Sequence, residues 1–262
     1  MGAFGDHGGL LIVQDAEGQA NGGASAPGPW SRPQDGPPPH EPLSRAPWPP
    51  VVLALIFLGI YGMQAADGQA ALCAAGDPAA ACARYAFAPA ALDSGHLAGL
   101  VTALFMHGSW AHVGFNSVFA LAFGAPIARR FGARWQGGVA FLMFFLVCGV
   151  AGNLGYALLR PHAAVPVIGA SGGVAGFMGA ASRLLGRSGE GAASDLAPFT
   201  SRTVIGMAAA WVTINLVVGV AGLDIGFGTA GQPVAWEAHL FGYFAGLVLA
   251  APAFAAARGL RS

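Results

Sequence analysis

Between residues 49 and 256 the chain passes through six apolar blocks that hold almost no charge. They lie at roughly 49–64, 100–125, 138–159, 168–185, 203–222 and 236–256. A bilayer offers the backbone no water, so a chain this apolar crosses it only as helices or as a closed barrel. None of the blocks alternates apolar and polar residues with a period of two, which argues against a membrane β-barrel. A helical span takes about 20 residues at ~1.5 Å of rise each. The first block is short by that measure, and the fourth sits near the lower limit. The expectation is an all-α membrane protein of six transmembrane helices, with uncertain bounds for the first and fourth. Only 9% of the residues are charged, against roughly 25% in a soluble domain.

Residues 1–48 are rich in Gly, Pro and Ser, with Pro37-Pro38-Pro39, and carry no apolar periodicity. They read as a disordered tail. Leu10 to Val13 is too short an apolar block for a signal peptide. The membrane domain is expected over 49–256, and 257–262 as a short second tail. Formal net charge is +0, so nothing points to nucleic acid. No zinc-type spacing appears, and neither a metal nor a cofactor is expected. Every basic residue is Arg, which together with the abundant Ala, Gly and Pro reads as a GC-rich, bacterial coding sequence.

The arginines also orient the chain. Arg129, Arg130 and Arg134 follow the second block, Arg183, Arg187 and Arg202 flank the link between the fourth and fifth, and Arg258 and Arg261 follow the sixth. In a six-span chain these fall on one side, together with Arg32 and Arg45 in the tail. The other side keeps Arg84 and Arg160. The arginine-rich side is expected in the cytoplasm, with both termini, in a bacterial inner membrane. Segment 65–99 then lies outside, where Cys73 and Cys82 could form a disulfide. Cys148, inside an apolar block, reads as packing.

Ionisable or strongly polar groups within spans are costly and point to function. The second block carries His107, His112 and Asn116. The fourth opens on Gly169-Ala170-Ser171-Gly172-Gly173, and the sixth holds His239 just after Glu237. By the arginine orientation, Ser171, His112, Asn116 and His239 come to similar depth near the outer face, from three helices. His112 and Asn116, four apart, share a helix face. His239, Gly242 and Gly246 share another, and Gly172, Gly176, Gly179 and Ala180 form a facing stripe. Two such faces pack with their backbones almost touching. That would bring His239 to Ser171 as a base to its nucleophile. Small residues are also the ordinary packing residues of membrane helices, and a lone His or Asn often serves as interhelical glue. His107 lies on another face from His112 and is expected to pin the outer loop. Asn215, beside Trp211, reads as glue, and Glu237 as an interfacial charge. Trp110 and Trp236 fit an interfacial aromatic belt. Gly169-x-Ser171-x-Gly173 also fits the nucleophile elbow of soluble hydrolases, but its surroundings are spans rather than strand and helix.

Taken together, His107-x4-His112-x3-Asn116, Gly169-Ala170-Ser171-Gly172 and Ala238-His239-x2-Gly242-x3-Gly246 resemble the motifs of the rhomboid intramembrane serine proteases. The resemblance covers about residues 50–256. It implies a six-helix bundle with a short central fourth helix, and a Ser171–His239 dyad without an acid. It also implies an oxyanion site of His112, Asn116 and the Ser171 backbone N–H, supported by His107, Gly169, Gly172, Gly242 and Gly246. The implied partners are transmembrane protein substrates within the lipid bilayer; oligomeric state stays open. One departure is Ala175, where many relatives carry an aromatic ring for the histidine to stack on. Phe241 or Phe177 would have to serve instead. Two rival readings are a catalytically silent relative that binds membrane clients and a small transporter. Silent relatives typically lack the serine or the histidine, both present here. A transporter would need polar groups continuing across the membrane, and the third and fifth blocks have no charge in their middles.

Overall fold

Long apolar helices meeting lipid on one side and one another on the other account for the architecture. The computed structural model describes residues 47–74, 84–164, 166–186, 196–221 and 234–260. Its elements are α1 (Trp48–Ala66), α2 (Gln69–Ala74), α3 (Gly99–Thr102), α4 (Trp110–Phe131), α5 (Trp135–Leu159), α6 (Ser171–Leu185), α7 (Arg202–Ala221) and α8 (Trp236–Ala256). Three 3-10 turns, Pro89–Ala91, Ala103–Phe105 and Ala257–Leu260, complete the described secondary structure. The only pairing of extended chain among the described residues is one bridge, Phe87 with Val167. The fold is therefore an all-α membrane bundle.

Five helices, α1, α4, α5, α7 and α8, are long and apolar enough to cross a bilayer. The sixth, α6, has 15 residues, about 22 Å at the helical rise. It is short because it is central. It packs against α4, α5, α7 and α8, and most of its residues are buried. Outward faces carry large apolar side chains such as Leu55, Met63, Val118, Met143, Leu154, Ile205 and Val248. In water such a surface would be a liability; against acyl chains it is the ordinary exterior. Inside, Phe57, Phe141, Phe144, Phe145, Phe177 and Phe254 form a continuous aromatic core with Leu53, Ile127 and Val174.

The second span differs from the expected block. The apolar stretch beginning at residue 100 is not one helix: α3 and a 3-10 turn occupy Gly99–Phe105, and the chain is extended at Met106 (φ −90°, ψ 143°). The span begins at Trp110 because Ser109 caps it, its hydroxyl accepting from the His112 N–H at 3.0 Å. Unpaired N–H groups at a helix start favour such a residue. His107 thus precedes the helix rather than lying within it. At the far end α4 runs on past Pro126 to Phe131 and stops at Gly132, φ 100°. There the Trp48 indole N–H donates to the Ala133 carbonyl at 3.0 Å, tying the start of α1 to this turn.

Residues 1–46 and Cys82 lie outside the described residues, as does the side chain of Cys73, so the tail and the suggested disulfide do too. Residues 257–260, expected as tail, continue α8 as a 3-10 turn with Ala257 buried.

Candidate active site

The helix pair that matters most is α6 against α8. A methyl group built on Gly242 would overlap the Gly172 carbonyl, and one on Gly246 the Gly176 carbonyl. On the other face of the contact, one on Gly179 would overlap the Tyr243 carbonyl. Backbone meets backbone along the whole interface, which side chains would forbid. This close approach carries His239, three residues before Gly242, to the start of α6. There its Nε2 lies 2.8 Å from Ser171 Oγ. His239 is buried and Ser171 half-buried.

Ser171 is the first residue of α6. The first bond of the helix runs from the Val174 N–H to the Ala170 carbonyl. The N–H groups of Ser171, Gly172 and Gly173 consequently have no partner within the helix. They point toward the serine end, with the positive end of the helix dipole. Incoming chain is fixed by the Phe87–Val167 bridge and by the Gly169 N–H, which donates to the Ala103 carbonyl at 2.9 Å. Gly169 itself adopts φ 127°. A Cβ there would stand 2.8 Å from His112 Nε2 and 3.7 Å from Ser171 Oγ, so glycine is required both for its backbone and for the space it leaves.

That space places the His112 ring beside the serine. His112 Nδ1 accepts a long bond from the Gly108 N–H, 3.5 Å. A backbone N–H can only donate, so in the neutral ring the hydrogen resides on Nε2, the atom facing Gly169. Asn116 is buried one turn further on, with its Nδ2 donating to the His112 carbonyl at 3.2 Å. This bond steadies the turn that carries His112, and it turns one amide hydrogen back onto α4. His107 is fully buried, its ring 5.1 Å from that of His112 and nearly perpendicular to it, and 5.4 Å from that of Phe57. It backs His112 instead of pinning the outer segment. That segment is held by Thr102, whose hydroxyl donates to the Tyr85 carbonyl at 2.7 Å, and by the Phe87–Val167 bridge.

Three sequence expectations change around His239. Neither Phe241 nor Phe177 supports it. Phe241 packs against Gly155, and Phe177 stacks on Phe141 in the core. The nearby ring is Trp211, from α7, at 6.2 Å and tilted 40°. Asn215 is not generic glue: its Oδ1 lies 2.8 Å from His239 Nδ1. Asn215 and Trp211 were visible as polar and aromatic residues in one span, but nothing in their spacing names the partner. Glu237 is buried and paired with Arg160, joining the start of α8 to the end of α5. Half of the Arg160 side chain remains exposed, and the carboxylate raises its pKa. Among the described residues no group of His, Cys, Asp and Glu could hold a metal.

Ser171, His239 and His112 therefore meet at one end of α6, with Asn116, His107 and Asn215 touching the two histidines. Such a constellation can deprotonate a hydroxyl and offer N–H groups to an oxyanion. A protein-family model described as the Rhomboid domain matches residues 94–256, more than half of the chain and inclusive of every one of these residues. No curated protein matches.

Proposed function

The chain belongs to the rhomboid family, and we propose that it is an intramembrane serine endopeptidase. The observation that carries the reading is the 2.8 Å contact between Ser171 Oγ and His239 Nε2 at the start of a helix buried in a membrane bundle. In the proposed reaction Ser171 Oγ attacks a peptide carbonyl while His239 Nε2 takes its proton. The imidazolium then returns that proton to the leaving amine, and water enters to hydrolyse the acyl-enzyme by the same base. The developing oxyanion is held by the Ser171 N–H and His112 Nε2–H, with Asn116 as a further donor from the same face of α4. Preset donors of this kind gain strength where water is scarce.

The substrate is a transmembrane segment of another protein. A stable helix keeps its carbonyls in internal hydrogen bonds, so the cut falls where the segment unwinds near the depth of Ser171. Small side chains suit the crowded surroundings of Ser171, where even a Cβ on Gly169 would stand 2.8 Å from His112 Nε2. The arginine distribution supports a site toward the outer face with both termini in the cytoplasm, and the composition supports a bacterial inner membrane. A silent client-binding protein would have no use for a serine hydrogen-bonded to a histidine base.

The test is labelling of the detergent-solubilised protein with a fluorophosphonate, with the modified residue located by mass spectrometry. Labelling at Ser171 that disappears in His239→Ala is the expected result. Well-folded protein that stays unlabelled would overturn the protease reading.

A further inference from the structure

We propose that Asn215 is a positioning residue, holding His239 in the one tautomer that can act on Ser171. The proposal rests on the serine-hydrolase reading of the site.

The argument begins with the amide. Asn215 is buried, 3% exposed, and its two ends are chemically opposite. Nδ2 donates to the Trp211 carbonyl at 2.9 Å. A carbonyl can only accept, so this bond fixes which end of the amide faces α8. The end that faces it is Oδ1, 2.8 Å from His239 Nδ1. Turning the amide over would set oxygen against oxygen at Trp211 and lose that bond. Oδ1 has no hydrogen, so the one shared in this contact belongs to Nδ1. In a neutral imidazole Nε2 is then the bare nitrogen, and Nε2 is the atom 2.8 Å from Ser171 Oγ. The Trp211 backbone carbonyl therefore decides, through one amide and one ring, that the nitrogen facing the serine is a base. Tautomer choice is commonly set by the bond the other ring nitrogen makes.

The same helix grips His239 at a second point. The Trp211 indole N–H donates to the His239 carbonyl at 3.4 Å, and its ring lies alongside the imidazole. On the serine side, Ala175, one turn into α6, offers only a methyl group. Orientation of the histidine thus comes from α7, although nucleophile and base sit on α6 and α8. Asn215 is neutral and cannot act as a charged partner for the imidazolium. Its contribution is direction, kept before and after proton transfer because Oδ1 accepts from Nδ1–H in both states.

Plain interhelical glue would predict otherwise: loss of Asn215 would lower stability and leave the tautomer and the per-molecule rate alone. The experiment compares wild type, Asn215→Leu and Asn215→Asp in micelles. Nitrogen-15 NMR of histidine-labelled protein, with His239 assigned from His239→Gln, reads the tautomer. Fluorophosphonate labelling reads Ser171 reactivity, and thermal unfolding reads the fold. In wild type, Nδ1 is expected to be the protonated nitrogen and Nε2 the bare one. Asn215→Leu should lose that preference and label about tenfold more slowly, the scale of one buried hydrogen bond. Asn215→Asp, which keeps an acceptor oxygen, should restore the Nδ1–H signal and label faster than the leucine variant. If the leucine variant fails to fold, Asn215→Ala takes its place. An unchanged His239 tautomer in a folded variant without the oxygen overturns the proposal, whatever the rate. The NMR reading needs no turnover, so unlabelled wild type would sink the protease reading while the tautomer still decides the role of Asn215.

Discussion

Gly169 has little freedom to change. At φ 127° it occupies backbone space that side chains rarely enter, and any Cβ would press on His112 Nε2 at 2.8 Å. Strain of this type costs about 1–3 kcal/mol, and the push would fall on the ring beside the serine. Gly169→Ala is therefore expected to cut Ser171 labelling by about tenfold or more. The melting temperature should fall by only a few degrees, on the order expected of a ~1–2 kcal/mol loss. Labelling at the wild-type rate would show that His112 can move aside without consequence. At this scale the sequence was informative where chemistry is scarce. Ser171, His112, Asn116 and His239 stand out because polar groups in spans are few, and the structure gathers Ser171, His112 and His239. The link from Asn215 to His239 was not legible, since an asparagine that bridges helices and one that sets a tautomer look alike until the ring nitrogens have positions. Phe241 and Phe177, the expected supports for His239, lie on the helices of His239 and Ser171, whereas Trp211 comes from a helix between them in sequence.

At the scale of elements, the α6–α8 contact decides whether a site exists. Its glycines have backbone on the far side, so a clash cannot be relieved by turning a neighbouring side chain. Gly246→Val should place its branch against the Gly176 carbonyl and destabilise the bundle by about 1–3 kcal/mol or more, with loss of Ser171 labelling as the helices part. Gly206 on α7 has nothing within 4 Å of a built Cβ. Gly206→Ala should leave the melting temperature unchanged or slightly raised, since alanine is the better helix former by about 0.5–1 kcal/mol. Thermal unfolding of the two variants in one detergent checks both; equal effects would mean that the helix contact is softer than its geometry implies. The facing glycine stripes were readable from spacing alone, because the helical repeat fixes which residues share a face. The break before α4 was not. Hydropathy runs on through Ala98–Phe105, and the non-helical residues 106–109, ending in the Ser109 cap, separate that stretch from the span.

For the whole molecule, two independent features lie at opposite ends. Ser171 opens α6, whereas Arg183 lies near its other end, buried, with Nε donating to the Ala197 carbonyl and its guanidinium over the Phe199 ring. His112 opens α4, and Arg129 and Arg130 close it. The end that holds Ser171 and the arginine-rich end are thus separated by the length of the helices. Arg183 is partly structural, held by the carbonyls of Ala197 and Leu247 in its own bundle. In the proposed orientation Arg129 and Arg130 lie on the cytoplasmic side, and Ser171 and segment 84–99 on the outer side. Single cysteines in a cysteine-free background would read this directly. Asp93 and Ala133 are both exposed, and they belong to the two opposite ends. In intact cells, an impermeant maleimide should modify Asp93→Cys and spare Ala133→Cys until the membrane is opened. The reverse pattern would bring the serine to the cytoplasmic face. Substrates would then be cut from inside, and the arginines would have to be explained by the contacts they make rather than by the membrane they face.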